Sequence, residues 1–205
     1  MSEQTNKDKL ILHLCADIGS DSKPYRDAGY QVICVGRDIG VENYTPPKGV
    51  YGVIANPPCT MFSLARTRAK TKRDFRQGMI CVQNCLRIIW ECRYEPLYNK
   101  NGSLKFWIIE NPSGFLRQFL GKPAMTYHPY EFGDSYTKST DLWGFFNEPK
   151  KKPINLSEDD LFRSRINNRR LPDLPSISDI TGSKQAARRA VCPKGFAQAF
   201  FEANR

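Results

Sequence analysis

The 205-residue chain carries 31 Lys and Arg against 21 Asp and Glu, so its formal net charge at pH 7 is +10 and its isoelectric point lies near 9.3. This charge favours a polyanionic partner, and nucleic acid fits better than an acidic membrane because no basic amphipathic helix stands out. No apolar run approaches the roughly 20 residues of a membrane span, and residues 1–9 lack a signal-peptide core, so we expect a cytosolic protein.

The first part of the chain alternates strand-like and helix-like segments. In chain order, the pattern predicts a strand over 9–15, a loop at 19–22, a short helix ending near Gly29, a strand over 31–35, a turn at 44–49 and a strand over 50–55.

The second part continues this alternation up to residue 146. We predict a helix over 77–92, a strand over 105–109, a short helix over 113–119, an antiparallel strand pair over 126–132 and 141–146, an irregular Pro-rich segment over 147–183 and a helix over 193–204. Strands that alternate with helices predict an α/β fold with a mostly parallel sheet covered on both faces.

Seven cysteines form an odd set without any Cys-x-x-Cys pair, and most lie in apolar periodic segments. This pattern indicates reduced thiols rather than a disulfide framework or a zinc site. We therefore expect no metal centre.

Two strand ends carry the most informative residues. Pro57-Pro58-Cys59 closes the apolar run at 50–55, and Glu110-Asn111-Pro112 follows the strand at 105–109. The two prolines fix their own φ and donate no ladder hydrogen bond, so Cys59 is held at a rigid exit from the sheet. In open α/β sheets, ligands bind at this carboxyl edge.

Pro57-Pro58-Cys59 with Phe62-Ser63, followed by Glu110-Asn111-Pro112, resembles the motifs of the cytosine-carbon-5 DNA methyltransferases. The resemblance extends to residues 14–19 at the cofactor loop, 73–78 after the mobile loop and 189–193 near the C-terminus. It implies a Rossmann-like class I methyltransferase fold with a mostly parallel seven-stranded sheet and helices on both faces. It also implies S-adenosylmethionine as cofactor and double-stranded DNA as substrate, with the target base flipped out of the duplex.

The resemblance assigns chemical roles to three residues. Cys59 would add as a thiolate to carbon 6 of cytosine, which makes carbon 5 enamine-like. Glu110 would share a proton with ring nitrogen 3, and Lys138 would replace an arginine that helps to hold the flipped base in the family. As an alternative, Glu110 caps the helix expected near Ser113.

The predicted cofactor site is built from the first strand ends. Asp17 stands where the family has a glycine, and it could pair with the cofactor ammonium or repel its carboxylate. Asp38 follows the second strand, where ribose hydroxyls are usually bound; Asp17 and Asp38 could also be ordinary turn residues. The full set of candidates is Cys15, Asp17, Ile18, Gly19, Asp38, Asn56 and Pro57.

Basic residues cluster directly after the predicted nucleophile and again in the Pro-rich segment. Such clusters are typical of phosphate-backbone contacts, although a basic run can also be a solvated loop. The nucleic-acid-binding candidates are Ser63, Arg66, Arg68, Lys70, Lys72, Arg73, Arg76, Arg163 and Arg165.

We expect a catalytic core over 1–146, a reduced target-recognition region over 147–183 and a C-terminal helix over 184–205 that returns to the core. Because the family's large recognition domain is missing, sequence specificity is expected to be short or supplied by a second protein chain. The alternative function is an inactive methyltransferase-like protein that occupies or protects DNA. An RNA substrate is a third reading of the same residues.

Overall fold

The computed structural model describes residues 5–16, 18–67, 69–99, 102–154 and 190–205. The described residues form an α/β fold around one six-stranded sheet. Its strands are β1 (Leu10–Leu14), β2 (Gln31–Val35), β3 (Val50–Ala55), β4 (Phe106–Pro112), β5 (Met125–Tyr127) and β6 (Thr140–Phe145). Its helices are α1 (Lys23–Asp27), α2 (Phe75–Tyr94), α3 (Arg117–Leu120) and α4 (Lys194–Ala203), with 3-10 turns at Asn6–Asp8 and Pro129–Phe132.

The sheet is mixed, with strand order β2-β1-β3-β4-β6-β5. β1 lies parallel to β2 and β3, and β3 lies parallel to β4. β6 is antiparallel to both β4 and β5, which confirms an antiparallel pair near the end of the core. Five strands therefore run in one direction and β6 runs against them. The first strand of this pair is shorter than the predicted 126–132, because Pro129–Phe132 forms a 3-10 turn.

The prediction of seven strands was wrong for the part of the chain that the structure describes, where the sheet has six. Residues 36–49 run from β2 to β3 through turns and include Pro46 and Pro47. An additional parallel strand would need its own crossover of about a dozen residues. This stretch is too short for a crossover, a strand and a return, so β2 forms the edge of the sheet.

Two apolar layers cover the sheet, because successive side chains of each strand point to opposite faces. On one face, Leu12 and Leu14 of β1 pack with buried residues of α2, including Val82 and Cys85. On the other face, Ile11 of β1 packs with α1, α4 and a cluster of rings. These rings belong to Tyr25, Phe106, Tyr127, Phe132, Phe196, Phe200 and Phe201.

Helix α2 begins two residues before the predicted start because Asp74 caps it. The Asp74 carboxylate accepts a hydrogen bond from the Gln77 backbone N–H at 2.9 Å. A capping carboxylate satisfies a donor that has no partner inside the helix. Within the described ranges, α2 and the other helices are too short or too polar to cross a membrane.

Candidate functional site

The carboxyl ends of β1, β3 and β4 lie side by side, because these three strands are parallel neighbours. Asn56-Pro57-Pro58-Cys59 leaves β3 at this edge, as predicted. Glu110 lies inside β4 rather than after it, since β4 continues to Pro112 by pairing with β6. The sheet thus brings the Cys59 and Glu110 segments together.

The Glu110 side chain is almost buried, with 12% of its surface exposed. Its Oε2 accepts a hydrogen bond from Asn56 Nδ2 at 3.2 Å, and its Oε1 lies 3.5 Å from Lys138 Nζ. Burial raises the pKa of Glu110, and the Lys138 ammonium and the Asn56 amide offset only part of this effect. The alternative of a helix cap finds no support, because α3 begins at Arg117 and its N-cap residue is Leu116.

Cys59 lies half-buried in a turn in which its carbonyl accepts hydrogen bonds from Phe62 N at 2.9 Å and Ser63 N at 2.8 Å. Burial is the largest cause that raises the pKa of the Cys59 thiol, and the charge of Glu110 raises it further. The charge of Lys138 acts in the opposite direction. Thiol, carboxyl and ammonium therefore influence one another electrostatically, as expected for a shared site.

The segments that follow β3 and β4 are joined directly. The Phe62 carbonyl accepts a hydrogen bond from Phe115 N at 2.9 Å, and Ser63 forms a β-bridge with Gly114. A Cβ on residue 114 would lie 2.4 Å from the Phe62 carbonyl oxygen, so only glycine allows this approach. These contacts fix the Cys59 segment against the end of the Glu110 strand.

A buried polar network extends from Asn56 toward β1. Asn56 Oδ1 lies 2.7 Å from His13 Nε2, and Asn56 Nδ2 donates to Asp21 Oδ1 at 3.3 Å. His13 Nδ1 lies 2.9 Å from Ser22 Oγ. No site role was predicted for His13 or Asp21, and Asn56 was predicted to bind the cofactor. The available signal was a histidine inside the otherwise apolar strand Leu10–Leu14.

The predicted cofactor residues lie at the ends of β1 and β2. Gly19 has a φ of 68°, and Ile18 beside it is exposed. A Cβ on Gly36 would lie 2.9 Å from Asp38 Oδ1, so the backbone after β2 closes against the Asp38 carboxylate. Ile39, directly after Asp38, is 56% exposed, and no site role was predicted for it.

Three further cofactor candidates have different surroundings. Cys15 Sγ lies 3.8 Å from Cys85 Sγ of α2, which turns this thiol toward the core. The Pro57 carbonyl accepts a hydrogen bond from Asn111 Nδ2 at 2.9 Å. Asp17 lies outside the described residues.

The basic loop after Cys59 divides into internal and exposed residues. Arg73 donates to the carbonyls of Met61 and Ser63, both at 2.8 Å, so it holds the loop together. Arg66 donates to Thr71 Oγ1 at 2.7 Å. Lys70 and Lys72 of this loop are exposed, as is Arg76 in the first turn of α2, whereas Arg68, Arg163 and Arg165 lie outside the described residues.

No protein-family model matches this chain, and no curated protein matches it. Among the described residues, no group of three or more His, Cys, Asp or Glu side chains is arranged to hold a metal ion. The geometry of the Cys59–Glu110 edge is therefore the main indication of a function.

Proposed function

We propose that the protein methylates carbon 5 of cytosine in double-stranded DNA with S-adenosylmethionine as the methyl donor. The observation that supports this proposal is the proximity of a half-buried thiol, Cys59, to an almost buried carboxyl, Glu110, at the carboxyl ends of adjacent parallel strands. Lys138 interacts electrostatically with both groups. A nucleophile beside a proton-sharing acid is what addition to the cytosine ring requires.

The protonation states of Cys59 and Glu110 assist each other in the first step. Because the negative charge of Glu110 raises the pKa of Cys59, a proton on Glu110 makes the thiolate easier to form. The thiolate sulfur forms a bond to carbon 6, the electrons of the carbon 5–carbon 6 double bond move into the ring, and Glu110 shares its proton with ring nitrogen 3. Lys138 adds positive charge near the electron-rich ring.

After methylation, solvent water accepts the proton from carbon 5 and the carbon 6–sulfur bond breaks. The electron pair from the carbon–hydrogen bond restores the ring double bond, and Cys59 leaves as a thiolate. Glu110 recovers its proton as ring nitrogen 3 becomes neutral again. The chain is thereby returned to its starting state.

The residues at the ends of β1 and β2 fit the cofactor. Gly19 adopts a left-handed conformation, and the backbone at Gly36 lies close to the Asp38 carboxylate. Both positions follow strands at the carboxyl edge of the sheet, and Ile18 and Ile39 are exposed beside them. We assign Asp38 to the ribose hydroxyls and Ile39 to the adenine face. When bound, S-adenosylmethionine supplies the electrophilic methyl group.

The test is incubation of the purified protein with radiolabelled S-adenosylmethionine and cytosine-containing duplex DNA. We expect label on cytosine with the unmodified protein and with Cys81→Ala, a control thiol on α2, and no label with Cys59→Ala. Tritium release from carbon 5 of labelled cytosine, measured without cofactor, checks the Cys59 addition independently. DNA binding without label and without tritium release would contradict the proposal.

A second candidate function is DNA occupancy without methyl transfer. Asp17, in the position of a cofactor-loop glycine in the resemblance, favours this alternative. Calorimetric titration with S-adenosylmethionine distinguishes the two functions, since only the methyltransferase requires the cofactor to bind.

A further inference from the structure

A continuous chain of side-chain contacts connects the predicted cofactor loop with Glu110. Ser22 Oγ lies 2.9 Å from His13 Nδ1 and 3.3 Å from the Gly19 carbonyl oxygen. His13 Nε2 lies 2.7 Å from Asn56 Oδ1, and Asn56 Nδ2 donates to Glu110 Oε2. His13 and Ser22 are buried, so the contact between these two side chains is shielded from water.

The donor and acceptor atoms determine the direction of each hydrogen bond between His13, Asn56 and Glu110. Asn56 Oδ1 can only accept, so the neighbouring His13 Nε2 carries the proton and donates it. Asn56 Nδ2 can only donate, and it faces the carboxylates of Asp21 and Glu110. A flipped amide would place its oxygen against both carboxylates. His13 and the two acids therefore specify one orientation of Asn56.

The orientation of the Asn56 amide matters for Glu110 because hydrogen bonds and nearby charges change the pKa values of His13 and Glu110. Burial lowers the pKa of His13, but the Cys34 and Asn56 hydrogen bonds and the Asp21 charge outweigh it, so the pKa is raised. The Asn56 hydrogen bond acts on Glu110 in the opposite sense and lowers its pKa. Among the described residues, the titratable groups that interact with His13 or Glu110 are Asp21, Cys34, Cys59, Tyr127, Lys138 and Cys192.

We propose that His13 and Asn56 are positioning residues for the proposed reaction: the imidazole orients the Asn56 amide, and the amide holds the Glu110 carboxyl in place for proton sharing with cytosine. This inference rests on the proposed function. Neither residue contacts the reacting atoms in this role. Both act through Glu110, and Asn56 belongs to the carboxyl site rather than to the cofactor.

The kinetic test compares His13→Ala, His13→Gln and Asn56→Ala with Asn84→Ala, a control amide on α2 whose side chain donates to the Ile80 carbonyl. We expect His13→Ala and Asn56→Ala to lower kcat by about 10- to 100-fold with KM for DNA and cofactor unchanged, because the acid is misplaced. His13→Gln retains an N–H donor near the position of Nε2, so it should recover most of kcat. Equal losses in His13→Ala and His13→Gln would overturn the proposal.

A second measurement does not depend on activity. The pKa of Glu110 is followed by NMR of carboxyl-labelled protein, with Glu110→Gln for assignment. Asn56→Ala and His13→Ala should raise this pKa because the carboxylate loses an oriented donor, and His13→Gln should leave it unchanged. NMR signals of the imidazole nitrogens should show the proton of His13 on Nε2. The variant His128→Gln assigns the signals of the other histidine.

The two measurements separate the failure of this inference from the failure of the proposed function. If the unmodified protein transfers no methyl group but the variants still show the NMR shifts, the positioning role is supported and the proposed methyl transfer is contradicted. An unchanged Glu110 pKa in both Asn56→Ala and His13→Ala would overturn the positioning role, whatever the activity.

Discussion

The Asp141 carboxylate on β6 is buried and accepts several hydrogen bonds. Its oxygens accept from Thr126 Oγ1 at 2.7 Å, Ser113 Oγ at 2.8 Å and Arg117 Nε at 2.6 Å. Burial alone would raise the pKa of Asp141, but the hydrogen bonds of Arg117, Thr126 and Ser113 outweigh burial and lower it. Through these hydrogen bonds, Asp141 of β6 connects β5 and the start of α3.

Asp141→Asn should lower the free energy of unfolding by about 3 kcal/mol at pH 7, because charge-assisted hydrogen bonds to a buried group are lost. The folded-state pKa of Asp141 is depressed, so the ionised form contributes stability above the unfolded-state value near 4. This contribution is lost as the pH falls through the folded-state pKa. Urea titrations at pH 7 and at pH 2.5 should show the difference between the two proteins shrink at the lower pH.

Asp27→Asn is the matched control for this measurement. Asp27 pairs with Lys23 one turn away on α1, and both side chains are more than half exposed. Exposed pairs contribute about 0–1 kcal/mol, so this variant should unfold nearly as the original does. A loss for Asp141→Asn no larger than that for Asp27→Asn would contradict the role assigned to Asp141.

Among the elements, the contact between the ends of β3 and β4 supports the site. Gly114→Ala would push a Cβ against the Phe62 carbonyl, and two backbone segments cannot yield as a flexible side chain can. We expect a loss of about 2 kcal/mol in stability and a larger relative loss of methyl transfer, because Cys59 shifts relative to Glu110.

Chemical denaturation and tritium release from carbon 5 of cytosine measure these two effects. Gly49→Ala serves as the control, because no atom lies within 4 Å of its added Cβ and only the strain of its φ of 75° remains. Full tritium release by Gly114→Ala would show that this backbone contact does not position the thiol.

The ends of β3 and β4 were predictable from local sequence patterns, whereas the contacts that these ends make with distant parts of the chain were not. The two prolines before Cys59 and the apolar runs around β3 and β4 are visible in the sequence, so the edge that carries the site could be predicted. The extension of β4 past Glu110 depends on pairing with β6, a contact between distant parts of the chain. The His13–Asn56 contact likewise depends on the β1–β3 register, which places His13 beside Ile54.

The sheet size was mispredicted for a different reason. The resemblance implied seven strands, but the short 36–49 connection with Pro46 and Pro47 was already in the sequence. The length of a connection can be read directly from the sequence. Here the short connection indicates that β2 is the edge strand, whereas the resemblance implied one more strand. The roles of Asp17, Arg68, Arg163 and Arg165 remain predictions from the sequence alone.

For the whole molecule, the net charge of +10 predicts salt-dependent DNA binding. Lys70 and Lys72 are exposed in the loop after Cys59, at the carboxyl edge of the sheet. Replacing both by alanine should reduce the slope of log affinity against log salt concentration by about 2, since each phosphate contact contributes about 0.9. Fluorescence anisotropy with a labelled duplex measures this slope.

The control for the charge itself is Lys7→Ala with Lys48→Ala. These exposed lysines precede β1 and β3, at the opposite edge of the sheet, and their removal changes the net charge equally. If the control pair lowers the slope as much as Lys70→Ala with Lys72→Ala does, DNA binding follows overall charge and the loop has no special part in it.

The Arg73 contacts have a practical consequence for protein engineering. By donating to the Met61 and Ser63 carbonyls, Arg73 brings the end of the 64–72 stretch back to the point where it leaves the fold. A segment whose ends meet can be exchanged without moving the elements on either side. The 64–72 stretch is thus a position where other loops can be inserted while Cys59 and Glu110 keep their places.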